Sequence, residues 1–211
     1  MTRSSTINIS SDRVIQWMNI IRNTSGSHQY RLLENFWESQ LRSKAWVINT
    51  LKSLDLSIGK DVYIFGGWYG VLGSLIKDNF LYEKIYSIDI DPICQKMGSQ
   101  LDDRVSFVTN DMANFEFQDI SNIGLIINTS TEHVSQKTFD TWMKKNPTNV
   151  PIVLQGNNFF ECNEHVRCTK NLEEFKKINV LTKDIYAGEL VCQGPNGPFT
   201  RFMNIGYKND Y

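Results

Sequence analysis

Cysteine is scarce in this chain. Its 211 residues hold four, Cys94, Cys162, Cys168 and Cys192, scattered from position 94 to position 192. That is not the dense framework of a small secreted domain. Charge of one sign is missing too: 22 Lys and Arg face 23 Asp and Glu, a formal net charge of −1. No global field draws such a chain to a phosphate backbone or an anionic membrane. Apolar runs are short, as at 123–127, far below the ~20 residues of a membrane span. The opening MTRSSTINISSDR has no apolar h-region of a signal peptide. Repeats and low-complexity tracts are absent. The expectation is a soluble, reduced, cytoplasmic protein with no membrane partner.

What is present is ordinary globular composition, 41% hydrophobic and 21% charged. At ~150 residues per domain, the length suits one domain with additions. Ser10, Ser11 and Asp12 are good N-caps before Val14, Trp17, Met18 and Ile21, which fall at helical spacing. After a break at 23–27, the apolar positions from Leu33 to Leu54 predict one long helix over 30–54. From position 58 the texture changes. Short apolar runs at 61–65, 84–89, 104–108, 124–128 and 151–155 read as buried strands. Helical segments fit at 71–80, 92–101, 139–145 and 172–178, with Pro92 in a first turn. Segments 181–192 and 200–207 alternate around a Gly/Pro-rich turn and read as a hairpin. The predicted fold is α/β: a three-layer, Rossmann-like, seven-stranded and mostly parallel sheet with an antiparallel C-terminal hairpin, plus N-terminal helices. Residues 1–57 are expected to form a helical extension packed on a core of residues 58–211.

The segment Phe65-Gly66-Gly67-Trp68-Tyr69-Gly70-Val71 lies where the first strand hands over to a helix. Glycines there permit φ > 0 and close approach to a ligand, and a helix N-terminus offers free N–H groups. Asp89 follows Gly70 by 19 positions, at the end of the second strand. A carboxylate there can accept from both hydroxyls of a ribose. The competing reading is a structural turn with a helix-capping Asp. A nicotinamide cofactor is disfavoured, because G-x-G-x-x-G is not matched.

The glycine loop, Ile88-Asp89-Ile90-Asp91-Pro92, Asn110-Asp111-Met112 and the terminal hairpin occur in the order that resembles class I S-adenosylmethionine (SAM)-dependent methyltransferases. The resemblance covers about residues 61–207. It implies that Gly66, Gly67, Trp68 and Gly70 lie against the amino-acid part of SAM. It likewise implies that Asp89 holds the ribose, that Ile90 and Asp91 flank the adenine, and that Asp111 meets the adenine amino group. Two positions depart from the family pattern: Ile64 stands where the loop usually has an acid, and Trp68 replaces the central glycine. Gln40, Arg42 and Lys44 are the candidates to serve the methionine end instead.

Ligands of an open α/β sheet sit beyond the carboxyl ends of its strands. The fourth strand ends in Asn128-Thr129-Ser130-Thr131-Glu132-His133, where the resemblance puts the acceptor. Asn128 is a candidate to bind SAM and to orient the acceptor, His133 to remove a proton, and Glu132 to do the same or orient His133. The alternative is a polar loop that merely caps a helix. The Asn/Asp-Pro-Pro-aromatic motif of amino-group DNA methyltransferases is absent. Asn157, Asn158, Phe159 and His165 are candidate acceptor-binding residues after the fifth strand, although Phe159 and Phe160 also suit the core. Cys162, His165 and Cys168 are spaced C-x-x-H-x-x-C, but zinc needs a fourth ligand and none is evident, so no metal is expected. Arg201 either pairs with an acidic acceptor or sits on a sheet edge, and a lone Arg favours the edge. Most of Trp17, Trp37, Trp46, Tyr30 and Tyr69 read as core.

The expected activity is methyl transfer from SAM to a small molecule or peptide. RNA stays open through Lys144, Lys145, Lys170, Lys176 and Lys177. The alternatives are other SAM chemistry, a lyase or aminopropyl-type transfer, and a non-catalytic module that retains the fold.

Overall fold

The computed structural model describes residues 7–56 and 60–208. Five apolar runs become parallel strands: β1 (Asp61–Phe65), β2 (Ile85–Asp89), β3 (Ser106–Thr109), β4 (Ile123–Asn128) and β5 (Ile152–Asn157). The hairpin β6 (Lys183–Gly194) and β7 (Gly197–Tyr207) completes the sheet, β7 running antiparallel to β5. The order is β3-β2-β1-β4-β5-β7-β6. It reverses direction between β1 and β4, the point where open α/β sheets hold ligands.

β1, β4 and β5 are buried at every residue, which is why they read as continuous apolar runs. Alternate side chains feed two cores. Val62, Ile64 and Ile127 pack beneath α1 (Ser11–Asn23), α2 (Ser27–Glu34), α3 (Glu38–Ser53), α4 (Val71–Asn79) and α5 (Pro92–Leu101). Tyr63, Phe65 and Ile126 face α6 (Gln136–Lys145) and α7 (Leu172–Ile178). The three layers and the hairpin are those expected.

The helix expected over 30–54 is interrupted. Asn35, Phe36 and Trp37 separate α2 from α3, and Trp37 is extended (φ −58, ψ 148). Neither Gly nor Pro marks the break. Asn35 makes it, buried with its Nδ2 donating to the Arg31 carbonyl at 3.2 Å. Ser10 caps α1 as anticipated, its Oγ accepting the Arg13 N–H. The N-terminal helices lie on the core through specific contacts. Arg13 on α1 pairs with buried Asp102 at 3.3 Å, and Trp46 on α3 donates to the Tyr186 hydroxyl on β6 at 3.0 Å. The boundary expected at 57/58 lies outside the described residues.

Three other expectations are corrected. Arg201 is not an edge residue, because β7 lies between β5 and β6, and its side chain is buried. Phe160, Trp37 and Tyr30 are exposed rather than core. The lysine patch is partly neutralised: Lys145 pairs with Glu116 at 2.5 Å and Lys176 with Asp184 at 2.8 Å.

Candidate active site

The loop after β1 turns sharply. Gly66 (φ +62), Trp68 (φ +50) and Gly70 (φ +76) all take the left-handed region. For Trp68 that conformation costs about 1–2 kcal/mol, since its Cβ crowds the following carbonyl. The position of the family's central glycine thus keeps a glycine-like backbone without the glycine. The glycines press against the protein itself. A Cβ on Gly67 would lie 2.2 Å from Ser87 Oγ, and one on Gly70 2.4 Å from the Phe107 ring. Trp68 is half-buried and stacks on Tyr69, ring centroids 5.5 Å apart. Ile64 is a core residue, so an acid at that position would sit under the sheet.

Asp89 binds this loop directly. Its Oδ2 accepts the Trp68 N–H at 2.9 Å and its Oδ1 the Asp91 N–H at 3.1 Å. A carboxylate has about four acceptor positions, so two remain for hydroxyl donors. Next along, Ile90 is 70% exposed, an apolar flank beside the crevice. Asp91 caps α5 through the Ile93 N–H at 2.9 Å and pairs with Arg31 of α2 at 2.6 Å. The Arg31 guanidinium holds the Asp91 carboxyl below the usual carboxylate range. Arg31 also sits over the Tyr69 ring at 5.7 Å. Burial pushes the Tyr69 hydroxyl up to about 12. Asp111, after β3, spends Oδ1 on the Ala113 N–H at 2.9 Å.

The loop meets the end of β4 at Ser130, whose Oγ donates to the Gly66 carbonyl at 3.3 Å. Asn128 is 1% exposed. Its Oδ1 accepts the Ser130 N–H at 3.0 Å and its amide contacts the Met112 sulfur at 3.9 Å. It therefore shapes the turn from beneath. The single 3-10 turn Thr131–His133 follows, with Glu132 buried and His133 exposed. Thr131 Oγ1 donates to the Gln155 carbonyl at 2.7 Å, and Gln155 accepts from Ser43 of α3 at 2.7 Å. That chain of bonds joins the turn, β5 and the N-terminal helices.

Beyond β5, Asn157 bridges two segments. Its Nδ2 donates to Glu132 Oε1 at 2.5 Å and its Oδ1 accepts the Phe159 N–H at 2.9 Å. Asn158 is committed to the Thr200 N–H at 2.7 Å. Phe159 packs on Phe199 and on the edge of His165. His165 reaches the Phe159 carbonyl through Nδ1 at 2.7 Å, and burial lowers its pKa below the usual imidazole value. Its ring meets His133 edge to face at 4.6 Å. Arg201 approaches Glu132 Oε1 at 3.9 Å. Burial, with Arg201 nearby, lowers the Lys44 amine to about 7. Burial raises the Cys168 thiol to about 12, so it stays protonated at neutral pH.

The residues singled out in the sequence fall into two groups. Gly66, Gly67, Trp68, Gly70, Asp89, Ile90 and Asp111 stand together at the carboxyl ends of β1, β2 and β3. Glu132, His133, Asn157, Phe159 and His165 converge beyond β4 and β5. Arg31, which brings α2 to Asp91, was not foreseen, and Arg201, read mainly as an edge residue, enters beside Glu132. Both depend on contacts between segments distant in sequence, and nothing in their immediate neighbours signals them.

No family model and no curated protein matches the chain. Solved structures do match. YcgJ from Bacillus subtilis superposes with a TM-score of 0.62 at 13% identity, over 81% of this chain and 99% of that one. A candidate sarcosine dimethylglycine methyltransferase from Galdieria sulphuraria gives 0.61 at 14%, over 82% and 88%. A variant of MtNAS in complex with S-adenosylmethionine gives 0.56 at 12%, over 93% and 72%. These identities establish the architecture and leave the residues' roles to their own geometry.

Proposed function

From the class I SAM-dependent methyltransferase fold that this chain has, we propose that it binds SAM and transfers its methyl group to a small-molecule or peptide acceptor. The observation that carries the reading is the Asp89 carboxylate. It holds the left-handed loop at Trp68 from the carboxyl end of β2, one strand from the sheet's reversal point, and has acceptor positions besides the two it uses. The adenosine half of SAM fits the residues present: Asp89 toward the ribose diol, exposed Ile90 against the base, Asp111 toward the base's amino group. The methionine half departs from the family, since Ile64 supplies no acid. When bound, SAM supplies an electrophilic methyl on a sulfonium, so alignment of the acceptor is the protein's main task. Glu132, His133, Asn157, Phe159 and His165 line the acceptor side on this reading. His133 takes the proton if the acceptor carries one, and Asn128 positions the turn. Near-neutral charge and the paired lysines favour a small acceptor over RNA.

Titration calorimetry with SAM and with S-adenosylhomocysteine tests the reading. Micromolar binding that weakens at least tenfold in Asp89→Ala is expected. Unchanged affinity in that variant overturns the site map. Product analysis then identifies the chemistry. S-adenosylhomocysteine marks methyl transfer, whereas methylthioadenosine marks an aminopropyl-type or lyase reaction.

A further inference from the structure

Two of the chain's three histidines meet one buried carboxylate beyond β4 and β5. Glu132 and His133 lie on the 3-10 turn after β4, and His165 lies on the loop after β5. One ligand atom from each lies within 4.8 Å of the other two. Three ligands ~2.1 Å from one tetrahedral ion stand ~3.4 Å apart, so pairs at the 4.8 Å limit need to draw in by about 1.4 Å. His133 is exposed, and rotation of its side chain supplies that movement.

The carboxylate itself calls for a cation. The Glu132 side chain is 4% exposed. Its Oε1 accepts from Asn157 and has Arg201 at 3.9 Å, the far limit of an ion pair. Its Oε2 is buried and has no hydrogen-bond partner among the described residues. A buried charged oxygen with no donor is costly to maintain, and such orphans are rare. Arg201 at Oε1 and Arg167 nearby offset part of the carboxylate's charge, but neither gives Oε2 a donor.

His165 is prepared for the same role. Its Nδ1, 2.7 Å from the Phe159 carbonyl, carries the proton in that bond. The lone pair of Nε2 is then available, the arrangement that orients ligating histidines. The Glu132 backbone carbonyl accepts the N–H groups of Val166 and Arg167 at 2.9 and 3.0 Å. Turn and loop are therefore tied together before any ion arrives. Cys168 Sγ lies 3.6 Å from the proton-bearing Nδ1, so the C-x-x-H-x-x-C segment is not the ligand set.

We propose that Glu132, His133 and His165 bind one divalent transition-metal ion. Two imidazoles and a carboxylate suit zinc, cobalt, manganese or iron, whereas magnesium and calcium favour all-oxygen sets. Three protein ligands leave coordination positions open. On the methyl-transfer reading, those positions receive an oxygen or nitrogen of the acceptor, and His133 serves as ligand instead of proton acceptor. The metal site itself rests on the side-chain geometry and not on that reading.

The test is calorimetric titration of the chelator-treated full chain with cobalt(II) chloride, followed by the visible spectrum of the bound ion. One ion per chain is expected, with no thiolate-to-cobalt band. His133→Ala and His165→Ala should each weaken binding at least about tenfold, by analogy with the loss on disturbing ligand-orienting groups. Cys168→Ser should bind like the parent. The exposed position of His133 keeps its variant folded, with circular dichroism as the check. Absence of binding to the folded parent, parental affinity in either histidine variant, or loss of binding in Cys168→Ser overturns the proposal. Titrating SAM into the metal-free protein separates the two readings. SAM binding without cobalt binding removes only the metal site, and cobalt binding without SAM binding removes only the methyltransferase assignment.

Discussion

The loop after β1 and the loops after β4 and β5 touch at Ser130 and Gly66, yet they hold their shapes by different means. The first is a sterically locked backbone. Its conformation is set by left-handed φ values at 66, 68 and 70 and by glycines seated on Ser87 and Phe107. Side-chain bonds reach it from Asp89 on the neighbouring strand and from Ser130 after β4. The second is a polar network. Glu132, Asn157, His165 and Arg201 come from four places in the chain and contact one another through hydrogen bonds, ring edges and a long ion pair. A steric device resists change at single positions and tolerates changes around it. A polar network tolerates conservative change but fails when one partner leaves another buried and unpaired.

Substitutions can break that contrast, beginning with the largest effect. Gly67→Ala puts a Cβ 2.2 Å from Ser87 Oγ. Overpacking of this kind costs about 1–3 kcal/mol, and SAM affinity should fall more than tenfold with the displaced loop. Adding Ser87→Ala removes the clashing Oγ and should restore most of the melting temperature. Lack of rescue would show that the loop is not sterically locked. Asn157→Ala should cost about 1–3 kcal/mol by stripping buried Glu132 of its donor. SAM affinity should stay within about twofold, because Asn157 belongs to the other side. Equal losses in stability and SAM binding would erase the distinction between the two regions.

A third prediction concerns the attachment of α1 and α5, away from both loops. Burial is the largest single influence on Asp102 and opposes its charge, but the Arg104 guanidinium (bonds of 2.9 and 2.8 Å), the Arg104 N–H, Ser74 and Arg13 together outweigh it and hold the carboxyl below the usual range. The unfolded chain, with an ordinary pKa of ~3.9, then takes up the proton more readily. Stability from this group is complete well above that value and lost as pH falls through the carboxylate range. Melting temperatures measured from pH 7 to pH 3 should converge for the parent and Asp102→Asn at the acid end. The smallest effect is expected at position 68. Trp68→Gly should be more stable than Trp68→Ala by about 1 kcal/mol, because only the glycine sheds the left-handed strain. Chemical denaturation of the pair measures it.

The geometry at the ends of β1 and β2 was largely legible because its devices are local. A strand ending in glycines and an acid closing the next strand are each contained in a few consecutive residues, Phe65–Gly70 and Ile88–Asp91. Asp89 and Asp111 stand at strand ends and needed only the alternation of strand and helix to be placed. The break at Asn35 was hidden, because it comes from a buried amide bonding back to Arg31 instead of from Gly or Pro. Arg201 misled for a similar reason: its burial follows from β7 inserting between β5 and β6.

Hydrophobic periodicity and turn chemistry determined the layers, the strand-and-helix alternation and the glycine turn that faces Asp89 across the ends of β1 and β2. These depend on forces acting over a few residues, so the chain carries them openly. Tertiary structure alone decided that Glu132 and His133 face His165, that Asn157 holds Glu132 through Oε1, and that Oε2 has no partner among the described residues. Those relations depend on the register between β4, β5 and β7, where a shift of one residue would turn each side chain to the other face of the sheet.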